Sequence, residues 1–293
     1  MPQYPWIAHY QSGVPAEINP DFCPSIPALL ERVAKNYADH PAFISMNQTL
    51  TFRQVSDRAT DLAGYLQSLP WLKPGDRVAI MMPNILQYPV ALFGILKAGL
   101  IAVNVNPLYT SRELHDQICD CGAKMVIIAE NFGKTLEKAL PGTPVQQVIS
   151  SGFADLFPFF TRLMVNFAVK HVKKLVEEFH VPNLVGFRDA LSEGHSSGFR
   201  PVPVKGTDVA LLANVEQTGT WISQTFEMGK ETALTALPLY HIFSFTATLC
   251  FLKRAAKQVL IADPRDIKHV IDEFEHWKPT AFPGVNSLFN ALA

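Results

Sequence analysis

The sequence predicts an α/β fold with two mainly parallel sheets flanked by helices, and three observations carry that expectation. Short apolar runs (RVAIMMP from Arg77, LIAVNVNP from Leu100, MVIIAE from Met125) alternate with segments whose apolar residues recur at helical spacing. These runs are apolar almost throughout rather than alternating in and out, as strands covered by helices on both faces are. A second alternation of the same kind starts near Thr207, after a stretch of different character between Phe153 and Pro182.

Each element follows from its local pattern. Between Ser25 and Tyr37, the residues Ile26, Leu29, Leu30 and Val33 share one helical face, and HPAFISMNQTLTF then alternates like a hairpin. Thr51 is placed to cap a second amphipathic helix, FRQVSDRATDLAGYLQSL, which ends before the turn WLKPGD. ILQYPVALFGILKAG reads as a helix stopped by Gly99, with Gly94 serving helix packing, and SRELHDQICDCG opens another. In the second section TDVALL reads as a strand, ANVEQTGTWISQTF as a helix and ALTALPLY as a strand. VLIA, a helix from Asp266 capped within the DPRD loop, TAFPGV and NSLFNALA complete the chain.

Composition excludes several classes. The chain has 293 residues, 48% hydrophobic and 17% charged, which describes a globular domain with a sizeable core. With 25 basic and 26 acidic side chains there is no global field to attract nucleic acid. The four cysteines are too few and too dispersed for a disulfide framework or a structural zinc site, which fits a reducing cytoplasm. The N-terminus has no basic region followed by an apolar one and is not a secretory signal. Val78 to Val105 is the most apolar stretch, yet Pro83, Asn84, Gln87, Pro89, Lys97 and Gly99 interrupt it, so it reads as buried strand, helix and strand rather than a membrane span.

FADLFPFFTRLMVNFAVKHVKKLVEEFHVP, residues 153–182, mixes six phenylalanines with Lys170, Lys173 and Lys174. Two readings stand side by side: a surface helix docking its apolar stripe on the main domain, or contact with a membrane surface at the inner face of the membrane.

Several strings, in order, resemble the adenylate-forming (acyl-activating, AMP-binding) superfamily, and most of all bacterial long-chain fatty-acid CoA ligases. LTFRQVSDRATDLAGYLQ is similar to an early family helix, and GDRVAIMMPNILQYPVALFGILKAGLIAVNVNPLYTSRELHDQICDCGAKMVI follows a core motif closely. TALPLYHIFSF resembles the strand and loop with the family's aromatic-histidine pair, and TAFPGVNSLFNAL the segment at the acyl and adenine pockets. The resemblance implies a partial N-terminal AMP-binding domain over 1–293, without the C-terminal lid domain. A first α/β subdomain would span 51–212 with the amphipathic insert at 153–182, and a second would span 213–293, joined by 1–50. It implies activation of a long-chain fatty acid through an acyl-adenylate to acyl-CoA, with ATP, Mg2+ and CoA. A ligase for another carboxylic acid, or a non-catalytic acyl- or membrane-binding remnant of the fold, are the alternatives. A dinucleotide-dependent oxidoreductase is disfavoured, because no GxGxxG follows a strand at a helix opening, and no GxxxxGK[ST] occurs either.

Activating a carboxylate means aligning it with the α-phosphorus of ATP while charge grows on the phosphates, so positioning and electrostatics carry the catalysis. By resemblance, His241 is the catalytic candidate, projecting from a strand end toward the carboxylate or α-phosphate; the plain alternative is a structural histidine. Tyr240, Phe243 and Ser244 would flank the acyl channel, or be ordinary core. Gly284, Val285 and Asn286 would form a second wall, with the glycine admitting close backbone approach and Asn286 offering a donor and an acceptor. A strand-to-helix turn with Asn286 as cap is the alternative. The family's phosphate loop, which reads approximately YTGGTTGVAKG, should lie between Leu212 and Ala213, yet VALL runs straight into ANVEQTG. The family's later glutamate, aspartate and lysine motifs are also missing from this stretch, so the chain as written is expected to be incomplete and inactive. Before VLIA the chain reads KRAAKQ where relatives carry a glycine turn.

Overall fold

A computed structural model of the protein describes residues 5–18, 23–203 and 211–292. Helix α1 (Ile26–Asn36) starts where the Ser25 hydroxyl accepts from the Ala28 amide at 3.2 Å, and it buries Ile26, Leu29, Leu30 and Val33. Strands β1 (Pro41–Ser45) and β2 (Gln48–Thr51) form the expected antiparallel hairpin. Met46 and Asn47 between them take φ of 48° and 59°, the paired left-handed geometry that matches strand twist. Thr51 and Gln54 then form a reciprocal capping box at the head of α2 (Phe52–Ser68).

Next come β3 (Arg77–Met81), α3 (Gln87–Lys97), β4 (Ile101–Asn104), α4 (Ser111–Cys121), β5 (Met125–Ala129), α5 (Gly133–Ala139), β6 (Gln147–Ser151), α6 (Phe159–Phe167), β7 (Leu184–Gly186) and α7 (Phe187–Ser197). Among the described residues β3 to β7 make an all-parallel sheet of order β4-β3-β5-β6-β7. Alternate residues serve opposite faces: Val78, Ile80, Met125 and Ile127 join the main core with α1, α2 and α3. Ala79, Met81, Val126 and Ile128 join a second core under α4 and α5. Burial on both faces is why these strands read as continuous apolar runs.

The remaining elements are α8 (Leu211–Ile222), β8 (Thr232–Thr235), α9 (Ile242–Lys253), β9 (Lys257–Leu260), α10 (Ile267–Trp277) and α11 (Asn286–Leu292). The second sheet has the order β2-β1-β9-β8, parallel except for the hairpin. The first strand therefore pairs with one more than two hundred residues later in the chain, a register set by Phe43 opposite Gln258.

Four sequence expectations are corrected. Leu211 and Leu212 open α8 instead of ending a strand, because no proline or glycine separates them from the helix-forming run Ala213–Gln217; residues 207–210 of that expected strand lie outside the described residues. The strand expected over ALTALPLY stops at Thr235, since Pro238 has no amide to give a ladder and the chain turns, the His241 amide donating to the Pro238 carbonyl at 3.0 Å. TAFPGV, to which the sequence reading gave no element, forms a single bridge, Ala281 to Ala233, before Pro283. The insert 153–182 is not one long helix: α6 passes into a π-turn over Ala168–Val172, and 174–182 is irregular. Nor does α6 dock its apolar stripe, for no residue of it is fully buried, and Phe160 and Met164 are 78% and 73% exposed.

The turn before β9 departs from the glycine pattern in an informative way. Ala255, fully buried, sits at φ 53°, the left-handed region that a glycine adopts without cost.

Candidate functional site

The loop between β8 and α9 is held from the other sheet. Asn84, two residues beyond the end of β3's apolar run and buried, donates from Nδ2 to the Thr235 carbonyl at 3.1 Å and the Leu237 carbonyl at 2.9 Å. Its Oδ1 accepts from the Leu239 amide at 2.9 Å. Tyr88, in the first turn of α3, places its hydroxyl 2.9 Å from the Leu239 carbonyl and 2.8 Å from Asn104 Oδ1. Complete burial pushes the Tyr88 phenol pKa far up, so the group stays a donor. The C-terminal ends of β3 and β8 are thereby tied at one point, the kind of strand-end crevice where parallel α/β sheets hold ligands.

On this fixed loop His241 is the N-cap of α9 with extended backbone, and its Nδ1 accepts, weakly, from the Phe243 amide at 3.4 Å. That contact favours the tautomer with the proton on Nε2, which leaves an N–H donor on an exposed side chain. Tyr240 is half-buried, and burial first and Tyr109 second raise its phenol pKa. Phe243 is exposed, and Ser244 is buried with its hydroxyl donating to the Leu237 carbonyl at 2.8 Å.

The second wall lies alongside. The Leu234 amide donates to the Ala281 carbonyl at 3.0 Å, bringing 281–285 against β8. Pro283, next to Gly284, shares a narrow crevice with Thr235, Leu237, Ser244, Thr248 and Phe251. A Cβ on Gly284 would come within 2.6 Å of the Phe289 ring, so the close approach the glycine permits is to this chain's own aromatic. Val285 and Asn286 are exposed, and Asn286 is the first residue of α11. Ser244 and the 281–285 segment are thus brought together, while His241, Tyr240 and Phe243 stand at the rim on the β8–α9 loop.

Sequence reading missed three participants. Asn84 and Tyr88 lie inside the most apolar stretch, and a polar side chain there is the signal that finds them, because a buried amide must be satisfied. Thr248 is the third: its buried hydroxyl has no partner and opens on the crevice, one helical turn after Ser244. The donors present suit part of an adenylate: an imidazole N–H and hydroxyls. Among the described residues no group of three or more His, Cys, Asp or Glu is placed to hold a metal ion.

A family model described as "AMP-binding enzyme" matches residues 30–293. The chain belongs to this family. A long-chain-fatty-acid–CoA ligase of Salmonella typhimurium strain LT2 is 45% identical across 98% of this chain, and one from Haemophilus influenzae Rd is 41% identical over the same share. This AMP-binding chain spans 55% of the length of either relative. The fold matches the crystal structure of a long-chain-fatty-acid-CoA ligase from Archaeoglobus fulgidus with a TM-score of 0.74 at 16% identity, covering 97% of this chain and 55% of that one. The Salmonella alignment runs over 309 positions whereas the whole chain has 293 residues, so that relative carries residues with no counterpart here. Among the described residues no helix is long and apolar enough to cross a membrane.

Proposed function

We propose that the full-length protein is an acid–thiol ligase that converts a long-chain fatty acid through an acyl-adenylate to acyl-CoA, using ATP, magnesium and CoA in the cytoplasm. The observation that carries this reading is the β8–α9 loop: an exposed imidazole on a helix cap, clamped by Asn84 and Tyr88 from the opposite sheet, in a chain of the AMP-binding family. His241 would donate from Nε2 to the substrate carboxylate or the α-phosphate. Tyr240, Phe243 and Ser244 would border the acyl group, with Gly284, Val285 and Asn286 opposite. ATP would bring its own activated phosphorus, and this chain would orient the carboxylate against it.

The 293-residue chain as written lacks the phosphate loop between Leu212 and Ala213, and we propose that it does not adenylate by itself. The subdomain division at 51–212 and 213–293 is supported by the pairing of β1 with β9, which joins the N-terminal hairpin to the second half. Contact with the inner face of a membrane through 153–182 is supported by the exposed Phe159, Phe160, Leu163, Met164 and Phe167 beside Lys170, Lys173 and Lys174.

The test is the intact mass of the purified protein with peptide mapping across Leu212 and Ala213, followed by an assay of palmitate consumption. A Gly/Thr-rich insert with ATP- and CoA-dependent palmitoyl-CoA formation is the expected result. A mass of 32.5 kDa, a peptide reading VALLANVEQ and no turnover would overturn the catalytic reading and favour a binding remnant.

A further inference from the structure

A second cavity, of about 380 Å³, lies between α2, the loop after β6 and α7, and shares no residue with the site above. Arg58, Asp61, Asp155, Arg188, Ser192 and His195 line it over an apolar floor that includes Leu156 and Phe157. Asp61 and His195 pair with each other across it, but among the described residues neither of its carboxylates lies within 4.0 Å of a guanidinium group. Asp155 is spoken for: Oδ1 accepts from Asn166 Nδ2 at 3.0 Å, and Oδ2 accepts from the Gly152 amide at 2.8 Å and the Ser151 hydroxyl at 3.2 Å. Asp61 Oδ1 faces His195 Nδ1 at 3.0 Å. Both carboxylates thus face other donors.

The two guanidinium groups are left over. Among the described residues neither Arg58 nor Arg188 has a hydrogen bond or a close ion pair, and Arg58 Nη1 is buried with no acceptor at all. A buried guanidinium nitrogen without an acceptor is costly, and two like charges lining one cavity add repulsion. Burial first and Arg188 second push the Arg58 pKa down, and the nearby carboxylates of Asp57 and Asp61 offset only part of that. An anion placed between the groups relieves both terms. Two planar forks and the Ser192 hydroxyl offer more donors than one carboxylate can use, and they match the three terminal oxygens of a phosphate monoester.

We propose that this cavity binds a phosphate-monoester dianion, with Arg58 and Arg188 as a two-sided guanidinium clamp. The ligand is either a soluble phosphate ester or the headgroup of a phosphatidate-type lipid, and the reading is independent of the acyl-activating one. Inorganic phosphate titrated into arginine-labelled protein, followed by the Nε–Hε resonances, is expected to shift Arg58 and Arg188 saturably and to leave the exposed Arg112 on α4 unmoved. Arg188→Gln, at an exposed position, is expected to weaken phosphate binding by about tenfold or more. Arg58→Lys keeps the charge without the fork and is expected to weaken it several-fold while keeping the fold. In a second arm, phosphatidylcholine vesicles with and without phosphatidate identify the source. Phosphatidate-dependent recruitment lost in Arg188→Gln assigns a lipid headgroup, and phosphate binding without such recruitment assigns a soluble ester. No saturable shift at tens of millimolar phosphate, or equal binding by Arg188→Gln, overturns the proposal.

Discussion

Helices α3 and α6 are both rich in apolar residues, and the structure treats them in opposite ways. Every residue of α3 except Leu96 is buried, including Gln87, which donates to the Gly152 carbonyl at 2.8 Å, and Lys97. No residue of α6 is fully buried, although Phe159, Phe160, Leu163, Met164, Val165 and Phe167 fall within nine positions. Neither hydrophobicity nor a place in a sheet crossover decides burial, since α3 connects β3 to β4 and α6 lies in the connection from β6 to β7, both of them pairs of adjacent parallel strands. What differs is the packing around them: α3 shares the main core with α1 and α2, whereas α6 follows the connection toward β7, a three-residue strand at the sheet's edge. α6 leaves the end of β6 and is anchored mainly through Asn166, whose Oδ1 accepts from the Ala154 amide at 2.9 Å, with Val165 partly packed on the core.

The contrast is sharpest in stability. Phe93→Ala in α3 removes a ring that is 1% exposed and should cost about 3–5 kcal/mol. Phe160→Ala in α6 should change stability by no more than about 0.5 kcal/mol. Urea denaturation of the pair measures both, and equal losses would show that α6 is buried against something after all. Asn84→Ala comes next, at about 2–4 kcal/mol, because it strips two carbonyls and one amide of their partner inside the protein. Faster hydrogen exchange at the Leu239 amide, with exchange in β5 unchanged, would locate that loss in the β8–α9 loop. Phe160→Glu with Met164→Glu should leave melting unchanged and reduce sedimentation with anionic vesicles several-fold. If vesicle binding is unaffected, the exposed apolar face has some other purpose.

The effect of pH should be smaller and is confined to alkaline conditions. Burial pushes the Cys250 thiol from 9.0 up to about 12, so between those values the native state keeps a proton that the unfolded chain releases. Stability should be intact below about pH 9 and should decline as pH rises toward 12; Cys23, Tyr65 and Tyr88, raised by the same cause, act in the same direction. The urea midpoint should fall between pH 8 and pH 10.5, and less steeply in Cys250→Ala. Smallest of all is Ala255→Gly. Relief of the left-handed backbone gives about 1 kcal/mol, while loss of a buried methyl and added chain entropy cost about as much, so the melting temperature should move little.

The same comparison explains what the sequence made legible. Elements with a clear local signal were readable from the residues themselves: the Ile26, Leu29, Leu30 and Val33 face of α1, the Thr51 cap, the Gly99 stop at φ 78°, and the two-faced burial of β3 and β5. β6 and β7 were not, because QVISS is half polar and LVG is three residues long, and both gain strand character only from their neighbours in the sheet. The fate of the 153–182 insert depended on anchoring by Asn166, a long-range contact that no periodicity reveals. At the candidate site, the PLYHIFSF string pointed to His241 and Ser244 only through its resemblance, whereas Asn84 and Tyr88 hold the loop from more than a hundred and fifty residues away.

The proposed acyl activation requires His241 at the substrate carboxylate or the α-phosphate. The decisive measurement is kcat/KM for palmitate with ATP and CoA in the full-length protein, comparing wild type, His241→Ala and the α10 control His276→Ala. His241→Ala is expected to lose about a hundredfold, with melting unchanged and the control unaffected. A His241→Ala enzyme as active as the wild type would contradict it.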